Sequence, residues 1–262
     1  MTRRSVLHLR DRNIGFDDTG GSGTPILLAH GFALDRTMFA GQEDLAPRYR
    51  VITWDAPGHG DSPVGTAAFS FWELAQIQLA LMDALDIRSA VVGGVSQGGF
   101  IALRTALLAP DRVTALLLFD TEAGSLDEHD SRVYDELFAA IERVGTTPEI
   151  ATALASQVIG EHPTARLWER TWAERGIPLG PPVDCLTQRD DVTDRLAEIG
   201  APALVVAGEH DHSIPIERQN QMRTRLPRAT EMNVVSGAGH SPPLTHPLQV
   251  NALINNFLAT AL

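Results

Sequence analysis

Ser96 stands in Gly94-Val95-Ser96-Gln97-Gly98, between the apolar run "AVVGG" and the helix-patterned "GFIALRTALLAP". Glycines on both sides of a serine at a strand-to-helix corner let the two elements approach closely, so the turn can be sharp and the hydroxyl exposed. A helix that begins just after it aims backbone N–H groups at the same point and favours developing negative charge. That combination suits a nucleophile. A serine hydroxyl is weak in that role until a base removes its proton, and the base needs a carboxylate to fix its tautomer and stabilise its charged form. Asp211, three residues past Gly208 in "VVAGEHDHSIP", is a candidate carboxylate, and His240, in "VVSGAGHSPPLTHP", a candidate base. Phe32, in "AHGF", closes an earlier apolar run. Its backbone N–H and that of Gln97 would together form an oxyanion hole.

Something must hold these loops at one place. "PILLAH", "RVITWD", "AVVGGV", "VTALLLFD" and "ALVVAG" are continuous apolar runs bounded by turn residues, the pattern of strands buried on both faces of a parallel sheet. Helical segments such as "FWELAQIQLALMDALD" lie between them. The alternation predicts an α/β fold, an open doubly wound sheet with helices on both faces and active groups at the carboxyl ends of its strands. Two short β-rich runs, "SVLHL" and "NIGFDD", predict an opening antiparallel hairpin. From Gly124 to Arg195 the rhythm stops, and amphipathic pieces such as "DSRVYDELFAAIERV" and "TARLWERTWAERG" predict a helical insertion over the sheet. The expected division is a core of residues 1–123 and 196–262 with a helical cap, or lid, over 124–195.

Composition narrows the function further. A chain of 262 residues, 44% hydrophobic, fits one large core. Its formal charge of −12 makes nucleic acid a poor partner. The single cysteine, Cys185, leaves no intramolecular disulfide and no paired-cysteine metal or redox motif. The twin arginine of "MTRRSVLHLRDRN" is followed by charge where an export signal needs an apolar region. No window reads as a membrane span. The expectation is a cytoplasmic protein.

The order Ser96, Asp211, His240 is that of α/β-hydrolase triads, and with "DAPGHGDSP" the chain resembles that superfamily over nearly its full length. Within it the chain looks like the small, capped, cofactor-free esterases, enol-lactone hydrolases, acyl-homoserine lactonases and haloperoxidases. The resemblance implies an eight-stranded, mostly parallel sheet with the cap after strand six. It implies hydrolysis of a small, largely apolar ester or lactone through an acyl-serine, with no metal, no organic cofactor and no membrane or nucleic-acid partner. It also offers Asp120, at the end of "LLLFD", as an alternative acid. A serine at position 96 speaks against the dehalogenases and epoxide hydrolases of the superfamily, which use aspartate there.

Trp168 and Trp172 share one helix face in the cap and are candidates to line the substrate site. Arg166, Arg170 and Arg175 could instead serve a carbon–carbon bond hydrolase, the runner-up activity, although their spacing with Glu169 and Glu174 fits a solvated face better. A ligand receptor that has lost turnover is the alternative outside enzymes. The side chains of His30, Glu209, His210, His212 and His246 read as structural or solvated loop groups.

Overall fold

Apolar runs with no polar alternation must bury both faces, and here they do so side by side. A computed structural model describes residues 2–9, 11–65 and 67–262. Its strands are β1 (Arg3–Leu9), β2 (Arg12–Asp18), β3 (Thr24–Ala29), β4 (Tyr49–Trp54), β5 (Ala90–Val95), β6 (Val113–Phe119), β7 (Ala203–Gly208) and β8 (Asn233–Val235). They form one eight-stranded sheet in the order β1-β2-β4-β3-β5-β6-β7-β8. β1 and β2 are the antiparallel hairpin, β2 also meets β4 antiparallel, and all other pairs are parallel. The central strands carry the core: Ile26, Leu27, Leu28, Val91, Val92, Leu116, Leu117 and Leu118 are all fully buried.

The helices are α1 (Phe71–Ala84), α2 (Gln97–Leu108), α3 (Glu128–Val144), α4 (Pro148–Val158), α5 (Ala165–Arg175), α6 (Pro181–Thr187), α7 (Ile216–Arg225), α8 (Pro242–Thr245) and α9 (Pro247–Ala261). α1 starts at a capping box in which the Ser70 hydroxyl accepts from the Glu73 N–H and the Glu73 carboxylate accepts from the Ser70 N–H. α3 to α6 all lie in the segment between β6 and β7, where the sequence offers amphipathic helices and no strand.

The loop after β3 is tied down from below. Arg36, 2% exposed, pairs with Asp55 at the end of β4, and with Asp61 at 2.7 Å and Asp17 at 3.1 Å. The Asp55 carboxylate also accepts the backbone N–H groups of Arg36 (2.8 Å) and Asp61 (2.9 Å). A buried cation surrounded by acids is a weak source of net stability, but breaking it is costly, so it fixes where the loop carrying Phe32 leaves the sheet.

Candidate active site

β5 runs directly into Ser96, whose backbone lies at φ 53°, ψ −114°, a region open almost only to glycine that costs about 1–3 kcal/mol. The surroundings enforce it. A Cβ on Gly94 would sit 2.1 Å from the Ala29 carbonyl oxygen, and one on Gly98 would sit 1.9 Å from the same atom. Only glycine at both positions lets β5 and α2 close onto β3. The Ser96 N–H donates to the Phe119 carbonyl at 3.0 Å, and the Thr121 hydroxyl donates to the Ser96 carbonyl at 2.8 Å.

Asp211 lies on the loop after β7. Its Oδ1 accepts the backbone N–H groups of Ser213 (2.8 Å) and Ile214 (3.0 Å) and stands 2.8 Å from His240 Nδ1. Its Oδ2 accepts the side-chain amide of Gln219, on α7, at 2.9 Å. Burial pushes the Asp211 carboxyl up, but the charge and hydrogen bond of His240 and the Ile214 N–H outweigh it and hold the group below the ordinary carboxylate range. An ionised carboxylate only accepts hydrogen bonds, so Nδ1 of His240 carries the proton and Nε2 is left as the basic nitrogen.

Ser96 and His240 line one cavity of about 540 Å³ including its mouth. Its walls are Gly31 and Phe32 from the loop after β3, Tyr134, Leu137, Phe138 and Ile141 from α3, Leu154, Gln157 and Val158 from α4, and Ile177, Leu186 and Ser213. No Asp, Glu, Lys or Arg lines it among the described residues. The Phe32 ring packs edge-on against Phe138, with centroids 5.5 Å apart. Gln97 is the first residue of α2, where backbone N–H groups have no partner within the helix. Among the described residues the Phe32 N–H donates no hydrogen bond either.

The α5 tryptophans lie elsewhere. Trp168 and Trp172 are buried, with ring centroids 6.0 Å apart, but they border a groove with His59 and Arg175, away from Ser96. The face of α5 that carries them packs toward the loop after β3, where the Trp172 indole N–H donates to the Ala33 carbonyl. Arg166, Arg170 and Arg175 are exposed. The ring of His30 is buried and bonds the Gly31 carbonyl at 2.8 Å and the Ala56 N–H at 3.0 Å, with the Gln97 side-chain amide 3.4 Å from its Nδ1. Glu209 ties its loop to Ser236 and Gly237, and His246 bonds the Thr245 hydroxyl. Burial pushes the Cys185 thiol up to about 12, where it is inert. Asp120 is fully buried beside Asp211.

Sequence reading missed the residues that form most of the cavity wall. Tyr134, Phe138 and Ile141 recur at helical spacing in "VYDELFAAI", a stripe that could have singled them out. Gln219 carries no such signal, since a lone glutamine in a polar helix looks like any solvated one.

A family model for the alpha/beta hydrolase fold matches residues 24–247. The chain belongs to that family. Among curated alpha/beta hydrolase relatives, it is 32% identical over 251 residues to the dihydrolipoyllysine-residue acetyltransferase component of the acetoin cleaving system of Pseudomonas putida. That match covers 93% of this chain but only 65% of the longer relative. It is 30% identical to the pimeloyl-[acyl-carrier protein] methyl ester esterase of Xanthomonas campestris, covering 92% and 98% of the two chains. Among solved structures, a thermophilic esterase from Thermogutta terrifontis superposes with a TM-score of 0.84 at 29% identity over 99% of both chains. Est816, described as an N-acyl homoserine lactone degrading enzyme, superposes with 0.83 at 25% identity over 97% of this chain and 100% of that one. The fold expectation, an eight-stranded and mostly parallel sheet, is met. Among the described residues no helix is long and apolar enough to cross a membrane.

Proposed function

We propose that this alpha/beta hydrolase cleaves small, uncharged and largely apolar carboxylic esters, open or cyclic, through an acyl-Ser96 intermediate. The observation that carries this reading is the cavity shared by Ser96 and His240, whose described walls are apolar side chains with Tyr134, Gln157 and Ser213 as the polar exceptions. A substrate carboxylate would have no countercharge there, and burying it unpaired is costly. That argues against a carbon–carbon bond hydrolase acting on an anionic substrate, as does the exposure of Arg166, Arg170 and Arg175. The esterase and lactone-degrading relatives support ester cleavage as the reaction class.

In this reading His240 Nε2 removes the Ser96 proton as the oxygen attacks the carbonyl carbon, and the imidazolium is held by Asp211. The N–H groups of Phe32 and Gln97 receive the oxyanion. His240 then protonates the leaving alkoxide, which departs as alcohol or, from a lactone, stays attached as the hydroxyl of the acyl chain. A water deprotonated by His240 attacks the acyl-serine and releases the acid, and the proton returns to Ser96. Helices α3 to α6 act as the cap that fixes the acyl group's size and keeps bulk water from the ester.

The test is release of p-nitrophenol from acetate, butyrate and octanoate esters by wild type and Ser96→Ala, with proton release followed on a lactone panel. Loss of a triad nucleophile costs on the order of a million-fold in kcat, so Ser96→Ala is expected to be inert where wild type turns over. Wild-type inactivity on both panels would sink the substrate assignment, and turnover by Ser96→Ala would sink the acyl-serine.

A further inference from the structure

Two acidic side chains meet behind the imidazole. Asp120 follows β6, is fully buried and holds a left-handed backbone at φ 45°. Its Oδ1 accepts the Gly208 N–H at 2.7 Å. Its Oδ2 is buried and finds no donor. What it stands beside is the Asp211 carboxyl group. One oxygen of each and a ring nitrogen of His240 lie within 4.8 Å of one another. Asp211 Oδ1 is already engaged by Ser213, Ile214 and His240, whereas Oδ2 takes only the Gln219 amide.

Two ionised carboxylates in contact in a dry site repel each other, and neither has a hydrogen to offer. One proton removes both problems. Asp211 is the less able to hold it, because three N–H donors and an imidazole stabilise its anion. We propose that Asp120 is a positioning residue which carries a proton in the resting enzyme and donates it in a hydrogen bond to Asp211. The proposal rests on the assignment of Asp211 and His240 as acid and base. Burial first, and the neighbouring Asp211 charge second, push the Asp120 carboxyl well above the ordinary range, in the same direction.

The titratable groups that face Asp120 are Asp211, from the loop after β7, and His240, from the loop after β8. Gly208, whose N–H it accepts, is uncharged, as is Gln219, which donates to Asp211. On the α3 side stands the Tyr134 hydroxyl, which burial keeps protonated. Glu122, two residues along, is paired with Arg189 at 2.6 Å and with Arg218 at 3.9 Å.

The sign of a pH shift separates this arrangement from its opposite. A donated hydrogen bond draws charge from Asp211 and weakens its hold on the imidazolium. Without the donor, as in Asp120→Ala, Asp211 holds the imidazolium more tightly and the acid limb of kcat/KM is expected to move to higher pH. Asn at 120 keeps an N–H donor of the same shape, so Asp120→Asn is expected to leave the limb in place and to recover most of the roughly 10- to 100-fold loss expected of Asp120→Ala. An ionised Asp120 would instead add its charge to the hold on the imidazolium, and Asp120→Asn would move the limb to lower pH with a loss approaching that of Asp211→Asn. That outcome would overturn the proposal. So would loss of turnover with EDTA, since a cation would then be what holds the carboxyls together. An infrared difference spectrum of wild type against Asp120→Asn near neutral pH reads the proton without any substrate. A protonated-carboxyl band lost in the variant supports the proposal even if the ester panels fail, and an ionised-carboxylate band lost in its place refutes it.

Discussion

The indole N–H of Trp172, in α5, donates to the carbonyl oxygen of Ala33 across 2.6 Å in a buried contact. Ala33 directly follows Phe32 and itself sits at φ 64°. Helix α5 thus holds one end of the loop proposed to receive the oxyanion, while Arg36 and its acidic partners hold the other.

Trp172→Phe keeps a ring in the same space and deletes only the donor. It leaves a buried carbonyl unpaired, a cost of about 1–3 kcal/mol. If the tether positions the Phe32 N–H, kcat is expected to fall about tenfold with KM little changed, because the donor acts on the transition state more than on bound ester. Steady-state kinetics on p-nitrophenyl butyrate decide it. An unchanged kcat alongside a lowered melting temperature would make Trp172 a packing residue alone.

Gly98→Ala tests the close approach that shapes the corner. The added methyl would lie 1.9 Å from the Ala29 carbonyl oxygen, which belongs to a central strand and has nowhere to go. A destabilisation above about 4 kcal/mol is expected, in the range reserved for backbone clashes and broken cores. Equilibrium urea unfolding measures it, and a midpoint equal to that of wild type would mean that α2 does not press on β3 as described.

Stability should depend on pH through Asp120 in an unusual direction. A carboxyl whose folded pKa is raised contributes its full stability below the unfolded value, near 3.9, and loses it as pH climbs toward the folded pKa, at up to about 1.4 kcal/mol per pH unit. Burial and the Asp211 charge raise that of Asp120 well above the ordinary range. Asn at 120 has nothing to lose. The stability of Asp120→Asn relative to wild type is therefore expected to improve steadily from about pH 5 to pH 8. A difference that stays flat across that range would show Asp120 ionised in the folded protein.

What could be read from the sequence follows from what is local. Ser96 is legible because its corner is written in five consecutive residues, and the strand-forming runs because burial on both faces leaves no room for polar alternation. Asp211 is legible because it follows the last of those runs, and His240 because it lies in the loop after the short final strand. The segment of helices α3 to α6 is different. Trp168 and Trp172 share a face, but which face meets the cavity is decided by how α3 to α6 pack on one another and on the sheet, and those contacts join residues far apart in the chain. Tyr134 and Phe138 line the cavity with Ser96 and His240. The pairing of Asp120 with Asp211 was hidden for the same reason: the two acids lie 91 positions apart in the sequence and meet only because β6 and β7 are neighbours. A choice between them as the acid, posed from the chain alone, omits the arrangement in which one serves the other.

The left-handed turn at Ser96 sets folding and turnover against each other at a single position. Glycine is the residue that backbone accepts most readily, and serine is the one the proposed chemistry requires. Improving this protein by screening for thermal tolerance alone would thus reward loss of the nucleophile, so any search for hardier variants has to select on product formed as well as on protein that survives.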